Sequence, residues 1–472
     1  MQEHIPDHVF RGYDLRGLAG SELTYGRVKS LGRGYATWLI QRRIKDCTVG
    51  YDCRLSSMEY RDALVAGLIE SGIDVYDIGL TLTQISYFSN YFFRTKGAVM
   101  ITASHNPKEY NGFKFGTGYS ETMNTEDIVG LRELVKSGKF LNIGKVGGHI
   151  RQDITEDYFK DISRFVGEIR KFKVVVDACA GTAGLFLPEI LRRAGCEVIE
   201  QNTKPDGNFP VGTPDPTERE VQERLAERVV KEGADIGFSY DCDGDRLGVV
   251  DEKGNLLWND VLLSLYAQDS LEFQPGAKIV YNNLCSKQVD EVISAAGGVP
   301  IIWKTGHSFI KAKVKESGAV FGGELSGHFY FVDNFYGHDD SAIASLRILS
   351  YLTRTKQTLS EAVAKLPKYI SSPEIKVGYP DNLKFAFVKD QLVVELKKLY
   401  PDAKFNEIDG VRMDSESEMI VMRASQNGPY LTIKFEARAE GIYNKIKIQI
   451  NDLLHNYQEI DFAKGANLAA LK

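Results

Sequence analysis

The chain has 472 residues, more than a single hydrophobic core accommodates, so length alone predicts several domains. Hydrophobic residues make up 43% and charged residues 26%, which excludes a disordered or collagen-like chain. With 58 Lys and Arg against 64 Asp and Glu, the net charge of −6 excludes a broad basic footprint for nucleic acid but still allows a local pocket for a small anion.

The start, Met1-Gln-Glu-His-Ile-Pro6, lacks the basic-then-apolar pattern of a signal peptide. No stretch approaches the roughly 18 unbroken apolar residues of a membrane span. The six cysteines (Cys47, Cys53, Cys179, Cys196, Cys242, Cys285) include no C-x-x-C pair and read as buried thiols of a reducing compartment. A soluble, cytoplasmic protein with no membrane or nucleic-acid partner is expected.

In chain order, one unit recurs three times. Thr48–Asp52 reads as a strand, Tyr60–Ser71 as a helix and Ile73–Ile78 as a second strand. The same order returns as Lys173–Asp177, Leu185–Arg193 and Cys196–Ile199, then as Lys278–Asn282, Lys287–Ala295 and Val299–Trp303. A β-branched run, an amphipathic helix, a closing Gly and another strand make a βαβ pattern, hence mainly parallel, doubly wound sheets. Ligands of such sheets bind at strand carboxyl ends, where Asp52, Asp177 and Asn282 fall. Boundaries are expected near Gly147-Gly148, Asp251–Gly254 and Pro367–Pro373. Beyond them, Val411–Arg423 and Tyr430–Ala437 alternate like antiparallel strands and Asp452–Tyr457 reads as a helix, so this end is a smaller α+β domain.

Four motifs carry chemistry. Thr102-Ala-Ser-His-Asn-Pro107 follows the apolar strand Ala98–Ile101, with Lys114 ten residues beyond Ser104. A plain turn would use the same residue types, but the packed hydroxyl, imidazole and amide also suit a serine that carries a phosphoryl group. Asp241-Cys-Asp-Gly-Asp-Arg246 follows the strand Ile236–Tyr240. Its alternate carboxylates can converge on one hard cation. The spacing also approaches an EF-hand, with Glu252 in twelfth place, yet Arg246 takes the sixth place where Gly is needed and no helix precedes it. Gly322-Gly-Glu-Leu-Ser-Gly-His328, preceded by Thr305-Gly-His307, is either a glycine-rich hairpin or a hydrogen-bonding loop for a polyol. Arg423-Ala-Ser-Gln-Asn-Gly-Pro429 is a turn between strands whose basic residue, hydroxyl and amides suit a phosphate dianion.

Together with Phe10–Gly17, Asp52–Ser56 (Asp-Cys-Arg-Leu-Ser), Pro205-Asp-Gly207 and Phe435-Glu-Ala437, these motifs occur in one order along nearly the whole chain. They resemble the α-D-phosphohexomutase family, most closely its phosphomannomutase/phosphoglucomutase branch. The resemblance implies three consecutive doubly wound mixed-sheet α/β domains (1–147, 148–253, 254–370) and a smaller α+β domain (371–472) around one central cleft. It implies a phosphoserine at Ser104, oriented by His105, and Mg²⁺ held by Asp241, Asp243, Asp245 and a Ser104 phosphate oxygen. Arg246 would be a cation near the transferring group and Lys114 the general acid/base, with Arg16, Tyr13 and His307 lining the cleft. Glu324 and Ser326 would grip sugar hydroxyls, with His328 beside them. Lys287, Arg423, Ser425, Gln426 and Asn427 would hold the other phosphate.

The implied reaction interconverts hexose 1- and 6-phosphates of mannose or glucose through a hexose 1,6-bisphosphate. Asn427 and Gly428 stand where the family usually has Thr and Glu, and Leu325 where this branch commonly has Met. A phosphoglucosamine mutase, a metal-dependent sugar-phosphate phosphatase and a catalytically silent sugar-phosphate-binding paralogue remain as alternatives.

Overall fold

The computed structural model describes residues 4–426 and 428–471. The chain forms two compact units. One holds the residues up to Leu262 together with Ser326–Ala364, the other Leu263–Leu325 and the residues from Lys365 onward.

The first unit contains two sheets. Strands β1 (Leu15–Leu18), β2 (Asp46–Tyr51), β3 (Asp74–Leu80), β4 (Gly97–Ile101), β5 (Tyr110–Gly118), β6 (Glu121–Thr122) and β7 (His149–Arg151) make a sheet of order β1-β5-β4-β2-β3-β7, with β6 beside β5. Strand β2 runs parallel to β3 and β4, whereas β5 returns antiparallel to β4 and places Lys114 opposite Met100. All five residues of β4 are buried, as its unbroken apolar run requires of a strand covered on both faces. The sheet extends past Gly147-Gly148, because β7 pairs in parallel with β3.

The second sheet holds β8 (Lys173–Asp177), β9 (Glu197–Gln201), β10 (Ile236–Tyr240), β11 (Leu247–Asp251) and β12 (Leu256–Leu257), ordered β12-β11-β10-β8-β9. The helix expected from Leu185 begins instead as a 3₁₀ turn, Thr182–Leu185, and becomes α-helical only over Leu187–Arg193. Gly181 and Gly184 weaken the first turn, while Pro188 lacks an N–H and is tolerated only in a first turn.

In the second unit, β13 (Lys278–Asn282) pairs in parallel with β14 (Val299–Trp303) and β15 (Phe321–Gly323). The first unit also includes the short strand β16 (Phe329–Phe331). The second unit ends in a largely antiparallel sheet of β17 (Ile370–Ser371), β18 (Ile375–Gly378), β19 (Lys404–Asn406), β20 (Val411–Asp414), β21 (Glu418–Ala424), β22 (Tyr430–Ala437) and β23 (Asp461–Ala466). The run Val411–Arg423 is therefore two strands, because the polar stretch Asp414-Ser-Glu-Ser-Glu418 turns the chain. The helix is also longer than expected, covering Glu440–His455. Its Ile446-Lys-Ile-Gln-Ile450 alternates like a strand, yet Ile446 and Ile450 are buried while Ile448 is 60% exposed, which is helical spacing.

Among the described residues, no helix is long and apolar enough to cross a membrane. All six cysteines are free thiols, five of them buried and Cys53 partly exposed.

Candidate active site

In the first unit, the loop after β4 places Ser104 at a strand's carboxyl end. Ser104 is buried and takes a left-handed φ of 50°, with its N–H donating to Thr102 Oγ1 at 2.8 Å. Its hydroxyl donates to Asp241 Oδ2 at 2.7 Å and lies 3.1 Å from His105 Nδ1. Asp241 opens the six-residue turn joining β10 to β11, whose register pairs Tyr240 with Leu247. The ligand atoms of Asp241, Asp243 and Asp245 lie within 4.8 Å of one another, and all three residues are buried.

Two cations answer these carboxylates. Lys114 Nζ reaches across from β5 to Asp243 Oδ2 at 2.6 Å and Asp245 Oδ2 at 2.5 Å. Burial alone would lower its pKa, but Asp243 and Asp245 outweigh that and hold it well above its ordinary value. Arg246 lies 3.3 Å from Asp241 Oδ2 and 3.1 Å from Asp215 Oδ2, and its Nη1 donates to Ser326 O at 3.4 Å. Burial raises the pKa of Asp241, and repulsion from Asp243 and Asp245 adds to it. Asp243 is also penalised by burial, but Lys114 and Thr83 hold its pKa below the usual carboxylate range.

Three carboxylates thus face two nearby cations. Asp243 Oδ1 and Asp245 Oδ1 are moreover buried without a hydrogen-bond partner among the described residues. Buried anionic oxygens in that state suit a hard divalent cation, so the turn could bind a metal ion.

Arg16, on β1, donates to Asn106 Oδ1 at 2.6 Å and to Ala103 O at 3.4 Å, and pairs with Asp14. It thereby joins the Ser104 loop. Tyr13 is buried three residues before it. His328, expected beside the sugar-gripping residues, has its Nδ1 2.9 Å from Asp339 Oδ2 and 3.9 Å from Asp245 Oδ1.

The second unit gathers a different set. Glu324 Oε2 accepts from Gly306 N at 2.9 Å, and Thr305 N donates to Asp409 Oδ2 at 2.9 Å. Gly306 has φ 133°, a backbone conformation that glycine alone adopts readily. His307 begins the helix His307–Ser317 and is buried. Arg423 Nε donates to the same Asp409 Oδ2 at 2.8 Å, so one carboxylate joins the arginine turn to the Thr305–His307 loop. Ser425 is buried and Gln426 partly so, while Asn427 lies outside the described residues. Lys287 is not brought to this group: its Nζ donates to the carbonyls of Ser415 and Glu416, and its N–H to Glu436 Oε1.

Asp215, Asp339 and Asp409 escaped the sequence reading. Asp215 lies between Pro214 and Pro216, a rigid setting that marks a placed side chain. Asp339 precedes Asp340, the N-cap of the helix Ser341–Thr355, and the pair reads simply as a helix start.

Three families match in succession: phosphoglucomutase/phosphomannomutase alpha/beta/alpha domain I over residues 7–142, domain II over 156–254 and domain III over 258–369. A phosphomannomutase/phosphoglucomutase of Pseudomonas syringae pv. tomato is 38% identical over 444 residues, covering 94% of each chain. A phosphoglucomutase of Neisseria gonorrhoeae is 35% identical, covering 94% of this chain and 96% of its own. The crystal structure of a phosphoglucomutase/phosphomannomutase family protein from Burkholderia thailandensis superposes with a TM-score of 0.88 at 32% identity, covering 96% of this chain and 98% of that one.

Proposed function

Since the chain belongs to the phosphoglucomutase/phosphomannomutase family, and is therefore an isomerase that moves a phosphoryl group between positions of a hexose phosphate, we propose that Ser104 carries the group in transit. The observation that carries this reading is the Ser104 hydroxyl donating at 2.7 Å into a buried turn of three carboxylates. Phosphoryl transfer needs positioning and neutralisation of charge and little covalent chemistry, which suits these residues.

Phosphorylated Ser104 gives its phosphoryl group to the free hydroxyl of a hexose 1- or 6-phosphate. The P–O bond to Oγ breaks as the bond to the sugar oxygen forms, leaving hexose 1,6-bisphosphate and the serine hydroxyl. After the bisphosphate turns end for end, its other phosphoryl group returns to Ser104. Arg246 neutralises the oxygens in transit, while Arg16 and His105 fix the loop and the hydroxyl. Lys114 is assigned the general acid/base role. Asp243 and Asp245 favour its charged form, from which it would return a proton to Oγ as that oxygen leaves and be reprotonated by the sugar hydroxyl. Asp241, Asp243 and Asp245, with an oxygen on Ser104, would hold Mg²⁺. Bound there, the ion would offset negative charge on the phosphoryl oxygens.

Glu324 and Ser326 are assigned the sugar hydroxyls, with His328 and His307 as supporting polar groups and Tyr13 as a wall. Arg423, Ser425 and Gln426 are assigned the phosphate that stays on the sugar; Asn427 and Lys287 have weaker claims. Each of the segments 1–147, 148–253, 254–370 and 371–472 then contributes one functional loop.

A mutase assay with mannose, glucose and glucosamine 1-phosphates under one Mg²⁺ concentration tests the reading. The 6-phosphates of mannose and glucose should form, and catalytic amounts of hexose 1,6-bisphosphate should speed their formation. Release of inorganic phosphate and free sugar instead would make the protein a phosphatase.

A further inference from the structure

We infer that Arg54 is a positioning residue for phosphoryl transfer: its buried guanidinium gathers four backbone carbonyls of the Ser104 loop and so fixes where the serine oxygen stands. This rests on the reading of Ser104 as the phosphoryl carrier. Arg54 Nη2 donates to Ser104 O at 2.7 Å and Asn106 O at 2.6 Å, and its Nη1 to Pro107 O and Tyr110 O, each at 2.9 Å. Nε lies 3.3 Å from Asp52 Oδ2, which balances the charge. Only 1% of the Arg54 side chain is exposed, so it acts through the loop and not on a ligand. Asp52 is itself tied down, with Oδ1 accepting from Arg54 N at 3.0 Å and from Ser57 Oγ at 2.6 Å.

Those four carbonyls fall within seven residues, three of them in the loop before β5 begins at Tyr110. Only a planar fork with five donors can serve so many converging acceptors from one point; an ammonium has three donors in a different geometry. Ser104 holds a φ of 50°, a sparsely populated conformation that persists only where the surroundings over-determine it.

The opposite face of Arg54 is also built. The Phe209 ring lies 4.9 Å from the guanidinium carbon, and the segment leading to it passes close behind. A Cβ on Gly207 would fall 2.6 Å from Cys53 O and 2.8 Å from Leu55 N, so that approach requires glycine. The Asp52–Ser56 and Pro205–Gly207 motifs, which no catalytic role absorbs, thus meet around one side chain.

Arg54→Lys and Arg54→Ala test the inference, with kcat and KM for glucose 1-phosphate, amide hydrogen exchange, and rescue by free guanidinium as readouts. Arg54→Lys should lower kcat about 100-fold, the effect of a displacement near 1 Å at a reacting atom. KM should stay within about threefold, because sugar binding does not pass through this loop. Faster exchange should be confined to residues 104–110, and guanidinium should partly restore Arg54→Ala. Should Arg54→Ala fail to fold, Arg54→Lys decides. Wild-type kcat in Arg54→Lys would overturn the proposal. So would a loss accompanied by faster exchange throughout the first sheet, which would make Arg54 a residue of the fold alone. If wild-type protein treated with glucose 1,6-bisphosphate carried no phosphate on Ser104, the reading of Ser104 would fail. Phosphorylated Ser104 with wild-type kcat in Arg54→Lys would sink only the positioning role.

Discussion

Two hairpin turns of this molecule share a scaffold and differ in sign. Asp241–Arg246 joins β10 to β11, and a second connection links the antiparallel pair β21 and β22; each follows a strand that is almost entirely buried. The first turn presents three carboxylates and is answered by Lys114 from a different sheet. The second follows Arg423, which is answered by Asp409 from the loop before β20. An antiparallel pair fixes where a turn stands, and the charge on the turn decides which ligand it suits. In the anionic turn, two buried oxygens lack a hydrogen-bond partner among the described residues, so it suits a cation, and the proposed function places the moving phosphoryl group there. The cationic turn suits a phosphate that is only held.

That division of labour can be broken at either turn. Ser104→Ala, which removes the hydroxyl bonded to the anionic turn, is expected to lower kcat by at least about 1,000-fold while hexose phosphate still binds. Steady-state kinetics with equilibrium binding by calorimetry would check both halves. Asp243→Asn removes one ligand and one charge, so kcat should fall about 100-fold and the Mg²⁺ concentration for half activity should rise. A metal titration of activity reads this directly, and chelator should abolish wild-type turnover.

At the cationic turn the parameter that moves should change. Arg423→Ala should raise KM about 30-fold for every hexose phosphate, whichever the sugar, with kcat nearly unchanged. That corresponds to about 2 kcal/mol, the range of a charge-assisted hydrogen bond. The smallest effect is expected at Asp409→Asn, which keeps the shape but weakens the hold on Arg423, so KM should rise about threefold. A fall in kcat instead would join the two turns in one task and dissolve the contrast.

How much of this was legible in the sequence depends on distance along the chain. Asp241, Asp243 and Asp245 lie within five residues, and Ser104 and His105 are adjacent, so spacing marked them as candidates and the family resemblance supplied their implied roles. Strands such as Lys173–Asp177 and Lys278–Asn282 showed themselves because, past an exposed or half-exposed lysine, a buried strand carries consecutive β-branched residues. Arg54 acts on carbonyls some fifty positions away, and a backbone acceptor leaves no residue-type signature. Asp409 meets Arg423 only because the antiparallel pairing of β20 with β21 sets the residues before β20 beside the end of β21. The helix Glu440–His455 was hidden by isoleucines alternating along its middle, where packing of Ile446 and Ile450 overrides strand-like propensity. Lys287, which the family resemblance offered to phosphate, is engaged by the carbonyls of Ser415 and Glu416, partners that no residue-type pattern shows.

The central claim is that Ser104 passes a phosphoryl group to and from the sugar. The most direct measurement is intact and peptide mass spectrometry of the protein after exposure to ³²P-labelled glucose 1,6-bisphosphate, followed by a chase with unlabelled glucose 6-phosphate. One phosphate should appear on Ser104, be absent from Ser104→Ala, and leave with the sugar bisphosphate during the chase at a rate no slower than kcat. A protein that turned over hexose phosphates with Ser104 unmodified, or with label that the chase did not remove, would contradict the account.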